Sequence, residues 1–385
     1  MEDICVDPYG IKIMLPKAQP YLVKINSVSN IAANILKQEM LSLGGDTAIA
    51  RGALTGKTKE TGCLLMGNFS QYNNLVQKLK LQPFGLKKIS EDLAEALANY
   101  QKEKFILNLG KHKLDLSKRT HIMGILNITP DSFSGDGLLN LSKDSIVRYA
   151  QKLADDGADV LDVGGESSRP KAKPVSAKEE ISRTIPVVKE LVKKVNIPVS
   201  IDTSKPEVAR AALESGASMV NDISGMRDSR MRKLAAKYKA GVVIMHMKGR
   251  PANMQRNPNY DCLITDIIQY LEQSVVESIR DGIEKDKIII DPGIGFGKTI
   301  GHNLELLKNL REFKVLGFPI LVGTSRKSFI GKMLDAPPKE RVFGTVSSCV
   351  LAAANGASLV RVHDVKEVKQ ALRISDAVNG AAKLR

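Results

Sequence analysis

Asp202, Asn221 and Asp291 each end a short apolar run, so three side-chain acceptors recur at equivalent places in the chain. Grouped, such carboxylate and amide oxygens can accept from the adjacent donors of a flat heterocycle, for example an amino-pyrimidinone edge. Lys327 could donate to a carbonyl oxygen or ring nitrogen of the same ligand. Taken singly, each acid is equally well read as a buried carboxylate satisfied by backbone N–H groups. Together they favour a ligand.

A second group suits anions. Ser325-Arg326-Lys327-Ser328 follows one run and Arg361-Val362-His363 ends the last. In (β/α)8 barrels phosphate commonly binds beyond the seventh and eighth strands. Asp291-Pro292-Gly293-Ile294-Gly295-Phe296-Gly297-Lys298 is glycine-rich, which alone is a weak phosphate-loop signal. Here it reads as backbone that approaches the ligand, with Phe296 as a wall. Two long polar loops, 129–137 and 164–170, are of the kind that closes over substrate. Ser168 and Arg169 in the second suit a co-substrate bearing a carboxylate. Gly56-Lys57-Thr58 resembles the end of a phosphate loop but lacks a convincing flanking strand and helix, and reads as a turn.

The elements that must position these residues begin near residue 120. Apolar, β-branched runs at 121–127, 160–164, 199–202, 219–223, 242–247, 288–291, 320–323 and 359–363 fit strands buried on both faces. Amphipathic segments alternate with them; 179–194 places Ile181, Ile185, Val188, Leu191 and Val192 on one stripe. Pro206 opens another helix and Gly216 ends it. Eight such units match a (β/α)8 barrel, which takes about 250 residues. An open doubly wound sheet has a similar alternation, but polar groups converging at the strand ends belong to a barrel mouth. Residues 1–118 break the rhythm, with strands at 21–25 and 62–67 and helices at 30–43, 71–79 and 91–100. The expected architecture is therefore α/β: a small N-terminal α/β module, 1–118, of undisclosed role, and a TIM barrel, 119–385, with the boundary near 111–119.

Composition excludes several classes. Aromatic residues are 4% with no Trp, which argues against a base-stacking nucleic-acid platform. The +15 net charge is spread along the chain, residues 1–118 holding 16 basic and 11 acidic side chains, so it reads as a solvated surface. No nucleic-acid partner is expected. Cys5, Cys63, Cys262 and Cys349 stand far apart, which disfavours a disulfide framework or structural zinc and fits a reducing compartment. The acidic start and the lack of a long apolar run predict a cytoplasmic protein with no membrane span.

The motifs resemble one family closely. Met123-Gly124-Ile125-Leu126-Asn127-Ile128-Thr129-Pro130-Asp131-Ser132-Phe133-Ser134 is similar to the first signature of the dihydropteroate synthases. Asp162 to Pro170, Ile201 to Pro206, Asn221-Asp222-Ile223, Met245-His246-Met247, Asp291 to Lys298, Ser325 to Ser328 and Arg361 to His363 follow in order. The resemblance implies condensation of 6-hydroxymethyl-7,8-dihydropterin diphosphate with para-aminobenzoate. It assigns the pterin to Asp202, Asn221, Asp291, Lys327 and Phe296. The diphosphate falls to Arg361, His363 and Asn127, with Asn127 as the Mg2+ position. Lys327, Arg361 and His363 become the catalytic set, and Ser168, Arg169, Pro170 and Ser328 the aminobenzoate side. A homodimer is implied as well. Two departures fall on the aminobenzoate loops: Gly135 precedes the acidic Asp136, and Ser168 and Lys171 replace the usual Thr and Gly. A pterin-barrel methyltransferase using methyltetrahydrofolate would share the Asn and Asp positions without needing the anion group. A non-catalytic pterin-binding protein would have no reason to keep it.

Overall fold

A computed structural model describes residues 1–130, 137–167, 174–251 and 253–380. The chain forms two compact units, Met1–Asn99 and Tyr100–Arg385.

In the first unit, strands β1 (Pro20–Ser29), β2 (Asp46–Ile49) and β3 (Glu60–Asn68) form an antiparallel sheet in the order β1-β3-β2. Alternation on β1 turns Tyr21, Val23 and Ile25 inward against helices Asn30–Ser42 and Phe69–Leu79, where Leu36, Met40, Leu75 and Leu79 are fully buried. Ser29 caps the first of these helices and an Asn68–Gln71 capping box starts the second. β2 and the helix Pro8–Met14 were absent from the sequence expectation, because four and seven residues are too few to show a period. Gly56 lies in a turn at φ +72° with open space around it, as read from the sequence.

The second unit opens with a hairpin, β4 (Ile106–Leu109) and β5 (His112–Asp115). Eight parallel strands follow: β6 (His121–Asn127), β7 (Val160–Gly164), β8 (Val199–Asp202), β9 (Met219–Asp222), β10 (Gly241–Met245), β11 (Ile288–Asp291), β12 (Leu321–Val322) and β13 (Leu359–Val362). They pair in the order β11-β10-β9-β8-β7-β6-β13-β12, and a parallel bridge between Ile290 and Ile320 brings the ends of the sheet together. The result is the expected eight-stranded α/β barrel. Helices follow the strands and bury their apolar stripes against the outer strand faces. Beyond β12 there are two, Ser328–Leu334 and Val342–Ala354.

The boundary lies near residue 100 and not at 111–119, and the hairpin is the reason. Leu107, Leu109 and Leu116 are buried in one cluster with Met123, Val160, Met219, Val243, Ile289, Leu321 and Leu359, the innermost side chains of seven strands. Gly241 makes room for this: a Cβ there would stand 2.4 Å from Leu109 Cδ2. Lys287 donates to the Asn108 carbonyl, and Asn108 Nδ2 to Asp286 at 2.9 Å. The hairpin is thus the floor of the barrel. A truncation that begins at Tyr100 should melt cooperatively, whereas one that begins at Arg119 should lose several kcal/mol, since each uncovered leucine contact is worth roughly 2–5 kcal/mol. Equal denaturant midpoints for the two truncations would refute the floor.

Candidate active site

Inward-facing residues recur at every second strand position, so the side chains above the floor can be read directly. Two residues beyond Met123, Val160, Met219, Val243, Ile289, Leu321 and Leu359 stand Ile125, Asp162, Asn221, Met245, Asp291, Gly323 and Arg361. One step along the strands changes the interior from apolar to charged.

Arg361 on β13 organises this layer. Its Nε donates to Asp162 Oδ2 at 2.6 Å and one terminal nitrogen donates to Asp202 Oδ2 at 2.7 Å. Asn221 Nδ2 donates to the same Asp162 oxygen at 2.9 Å. Three strands are thereby tied to the eighth across the barrel. Asp162 is wholly buried, and its Oδ1 has no hydrogen-bond partner among the described residues. An orphaned buried acceptor costs about 1–3 kcal/mol, which a ligand donor would recover. Burial pushes the Asp202 carboxyl up to about 7, with Asp162, Glu180 and Asp222 adding repulsion and Arg361 pulling the other way.

Asp291 and Lys327 face each other beside this network. Burial raises the Asp291 carboxyl against the pull of Lys327, and lowers Lys327 to about 8 against the pull of Asp291. The Lys327 ammonium lies 4.7 Å over the Phe296 ring and donates to the Ile294 carbonyl. The 293–297 loop is built for this approach: Gly293, Gly295 and Gly297 have φ of +72°, +82° and +62°, and a Cβ at Gly293 would meet the His246 carbonyl at 1.9 Å. Its carbonyls are held in turn by Lys327, Gln255, Lys298 and Tyr260. Lys298 also meets His246 Nδ1 at 2.9 Å, and burial holds its amine well below the ordinary range. Met245, Met247 and Met254 pack together with Ile223 and Phe296 as an apolar wall.

The anion group stands at the ends of β6 and β13. His363 Nδ1 lies 2.9 Å from Ser325 Oγ, which already accepts from the His363 N–H at 3.1 Å. The Ser325 hydroxyl thus holds the imidazole at the end of β13. Nε2 is 3.5 Å from Asn127 Nδ2, the donor end of that amide. Among the described residues no three His, Cys, Asp or Glu side chains group as a metal cage. Mg2+ bound through substrate phosphates needs only one or two hard protein oxygens, and the Asn127 amide oxygen fits that donor chemistry. Arg326, whose backbone is left-handed at φ +55°, turns its guanidinium onto Asp364 at 3.0 Å. Ser328 begins the helix Ser328–Leu334 and is exposed. Ser168, Arg169 and Pro170, with residues 131–136 of the first loop, lie outside the described residues.

The structure therefore brings Asn127, Asp202, Asn221, Asp291, Phe296, Lys327, Arg361 and His363 to one end of the barrel. Sequence reasoning named Asp162 only as the start of the Asp162–Pro170 signature and passed over the methionine wall. An acid in the middle of the run Val160-Leu161-Asp162-Val163-Gly164 was the available signal.

Comparison with known proteins agrees with this arrangement. Residues 123–363 match the pterin binding enzyme family. The chain is 48% identical over 274 residues, 71% of this chain and 94% of the relative, to the dihydropteroate synthase of Synechocystis sp.. It is 38% identical over 387 residues, 99% of this chain and 46% of the relative, to a probable bifunctional folylpolyglutamate synthase/dihydropteroate synthase of Halobacterium salinarum, so that match extends through the first unit. Xanthomonas albilineans dihydropteroate synthase, solved with 4-aminobenzoic acid, superposes with a TM-score of 0.67 at 40% identity, over 72% of this chain and 98% of that one. The chain belongs to the dihydropteroate synthase family of pterin-binding enzymes.

Proposed function

We propose that the barrel condenses 6-hydroxymethyl-7,8-dihydropterin diphosphate with para-aminobenzoate, yielding dihydropteroate and diphosphate. The observation that carries this reading is the largely buried Arg361–Asp162–Asp202–Asn221 network, with its orphaned Asp162 oxygen, lying beneath the Asn127–His363 anion group. Asp162, Asn221, Asp202 and Asp291 accept from the pterin's amino and ring N–H groups. Lys327 donates to its carbonyl or ring nitrogen, and Phe296 covers a face. Arg361 and the His363 imidazole receive the negative charge as the methylene C–O bond breaks and the electron pair leaves with diphosphate. The electron-rich pterin delocalises the methylene cation. The aniline nitrogen then attacks and loses a proton, a step that needs no strong base. Asn127 and the diphosphate oxygens would hold Mg2+, which when bound supplies neutralisation of the leaving group. Ser168, Arg169, Pro170 and Ser328 serve the aminobenzoate side. Methyl transfer from methyltetrahydrofolate would leave the anion group without a task.

The reading extends to a cytoplasmic homodimer. Phe343 at 80%, Ile374 at 69% and Val378 at 80% exposure give the last helices of the barrel apolar side chains that a second copy would cover. None of the four cysteines is in a disulfide, and no described helix is long and apolar enough to cross a membrane.

Mixing the purified chain with both substrates and Mg2+ should release diphosphate and give a product of dihydropteroate mass. Tight pterin diphosphate binding without product would overturn the synthase reading. Lys327→Ala should abolish turnover with an unchanged circular dichroism spectrum and weaken pterin diphosphate binding about 10- to 100-fold, from the roughly 1.5–3 kcal/mol of a hydrogen bond to a charged group. Near wild-type kinetics in that variant would remove Lys327 from the site. Because burial holds Lys327 at about 8, it sheds its proton as pH rises through that value. Calorimetric affinity for pterin diphosphate should therefore decline above pH 8, and this decline should be missing in Lys327→Met. Finally, Phe343→Glu should shift the sedimenting mass from dimer to monomer, and no shift would move the interface elsewhere.

A further inference from the structure

The second loop leaves β7 and returns to the helix Ala177–Lys194, and its two feet are joined by one side chain. Glu166 Oε1 accepts from the Val175 N–H at 2.8 Å, and Oε2 takes the Lys205 ammonium at 2.6 Å. Lys205, just beyond β8, also reaches Glu180 at 2.6 Å in the first turn of that helix. Glu180 is fully buried, and its other oxygen has no hydrogen-bond partner among the described residues. Burial alone would lower the Lys205 ammonium, but its bonds to Glu166 and Glu180 outweigh this and hold it above the ordinary range. The helix bears on the outgoing foot as well. A Cβ on Gly165 would lie 2.7 Å from Thr184 Cγ2, and Arg183 donates to the Gly165 carbonyl at 2.8 Å.

Charge balance separates the roles of the three groups. Two carboxylates share one ammonium, so removing Lys205 would leave a buried acid uncompensated, a change that commonly costs 3–5 kcal/mol. Removing Glu166 leaves Lys205 and Glu180 as a balanced pair. Glu166 is therefore surplus to the balance, and what it adds is the tie to Val175. The polar layer around Arg361 is held by bonds of its own, among Asp162, Asp202 and Asn221.

We propose that Glu166 is a positioning residue that fixes the spacing of the loop's two feet and thereby sets the affinity for aminobenzoate. The proposal rests on the reading above, in which Ser168, Arg169 and Pro170 of this loop serve that substrate. In steady-state kinetics on the full chain, Glu166→Ala should raise the aminobenzoate KM by about tenfold, a modest share of what ångström-scale misplacement can cost. It should leave the pterin diphosphate Kd within about twofold. Glu166→Gln, which keeps an acceptor for Val175, should recover most of the loss. Amide hydrogen exchange at Val175 should quicken in Glu166→Ala and stay slow in Glu166→Gln. An unchanged aminobenzoate KM, equal losses for both substrates, or a lowered melting temperature with normal KM would each overturn the proposal. So would failure of Glu166→Ala to fold, since the balance argument requires that it fold. If the wild-type chain forms no product, the synthase reading fails; the exchange measurement still decides whether Glu166 joins the feet.

Discussion

A guanidinium cannot be deprotonated inside a protein, so a buried arginine must be met by acids, and most of the barrel's interior follows from that requirement at Arg361. Asp162 and Asp202 answer its fork from two neighbouring strands. Asp162, once committed to the arginine, can take Asn221 on the same oxygen and leaves the other unused. Such a cluster contributes little net stability, because desolvating the ions offsets much of their attraction. Its value is geometric. Four side chains from four strands hold fixed places without a ligand, in a region where water competes poorly for their bonds.

The strands make this possible with a simple device. Because side chains alternate, the same eight strands can present an apolar floor at one level and a charged layer two residues higher. Neither level is reached by the helices, whose burial on the outer faces supplies the larger apolar core. The 293–297 loop continues the logic above the layer. Its backbone turns where only glycine is comfortable, and side chains from elsewhere satisfy its carbonyls. This wall is thus held by side-chain bonds although it is formally a loop.

Much of this was legible in the sequence, for identifiable reasons. Parallel strands buried on both faces write themselves as apolar runs, and polar ends such as Asn221 and Asp291 stand out against them. What could not be read is anything that depends on which residues meet across the barrel. Arg326 looks as available as Lys327 in Ser325-Arg326-Lys327-Ser328, yet a left-handed turn sends it to Asp364. Asp162 looks like one more satisfied acid until Arg361 is seen to reach it from a strand 199 residues away. The hairpin at 106–115 was assigned to the wrong side of the boundary because its polar turn, Gly110-Lys111, resembles a linker, while the contacts that claim it for the barrel are spread from Met123 to Leu359.

The hairpin floor also governs traffic. With Leu107, Leu109 and Leu116 sealing one end, the barrel is a blind well, open only at the mouth. A molecule that reaches the Asp162 layer has to enter and leave past the strand ends that carry Asn127 and His363. The direction of approach is then a property of the architecture, set by leucines that lie a level below the charged layer.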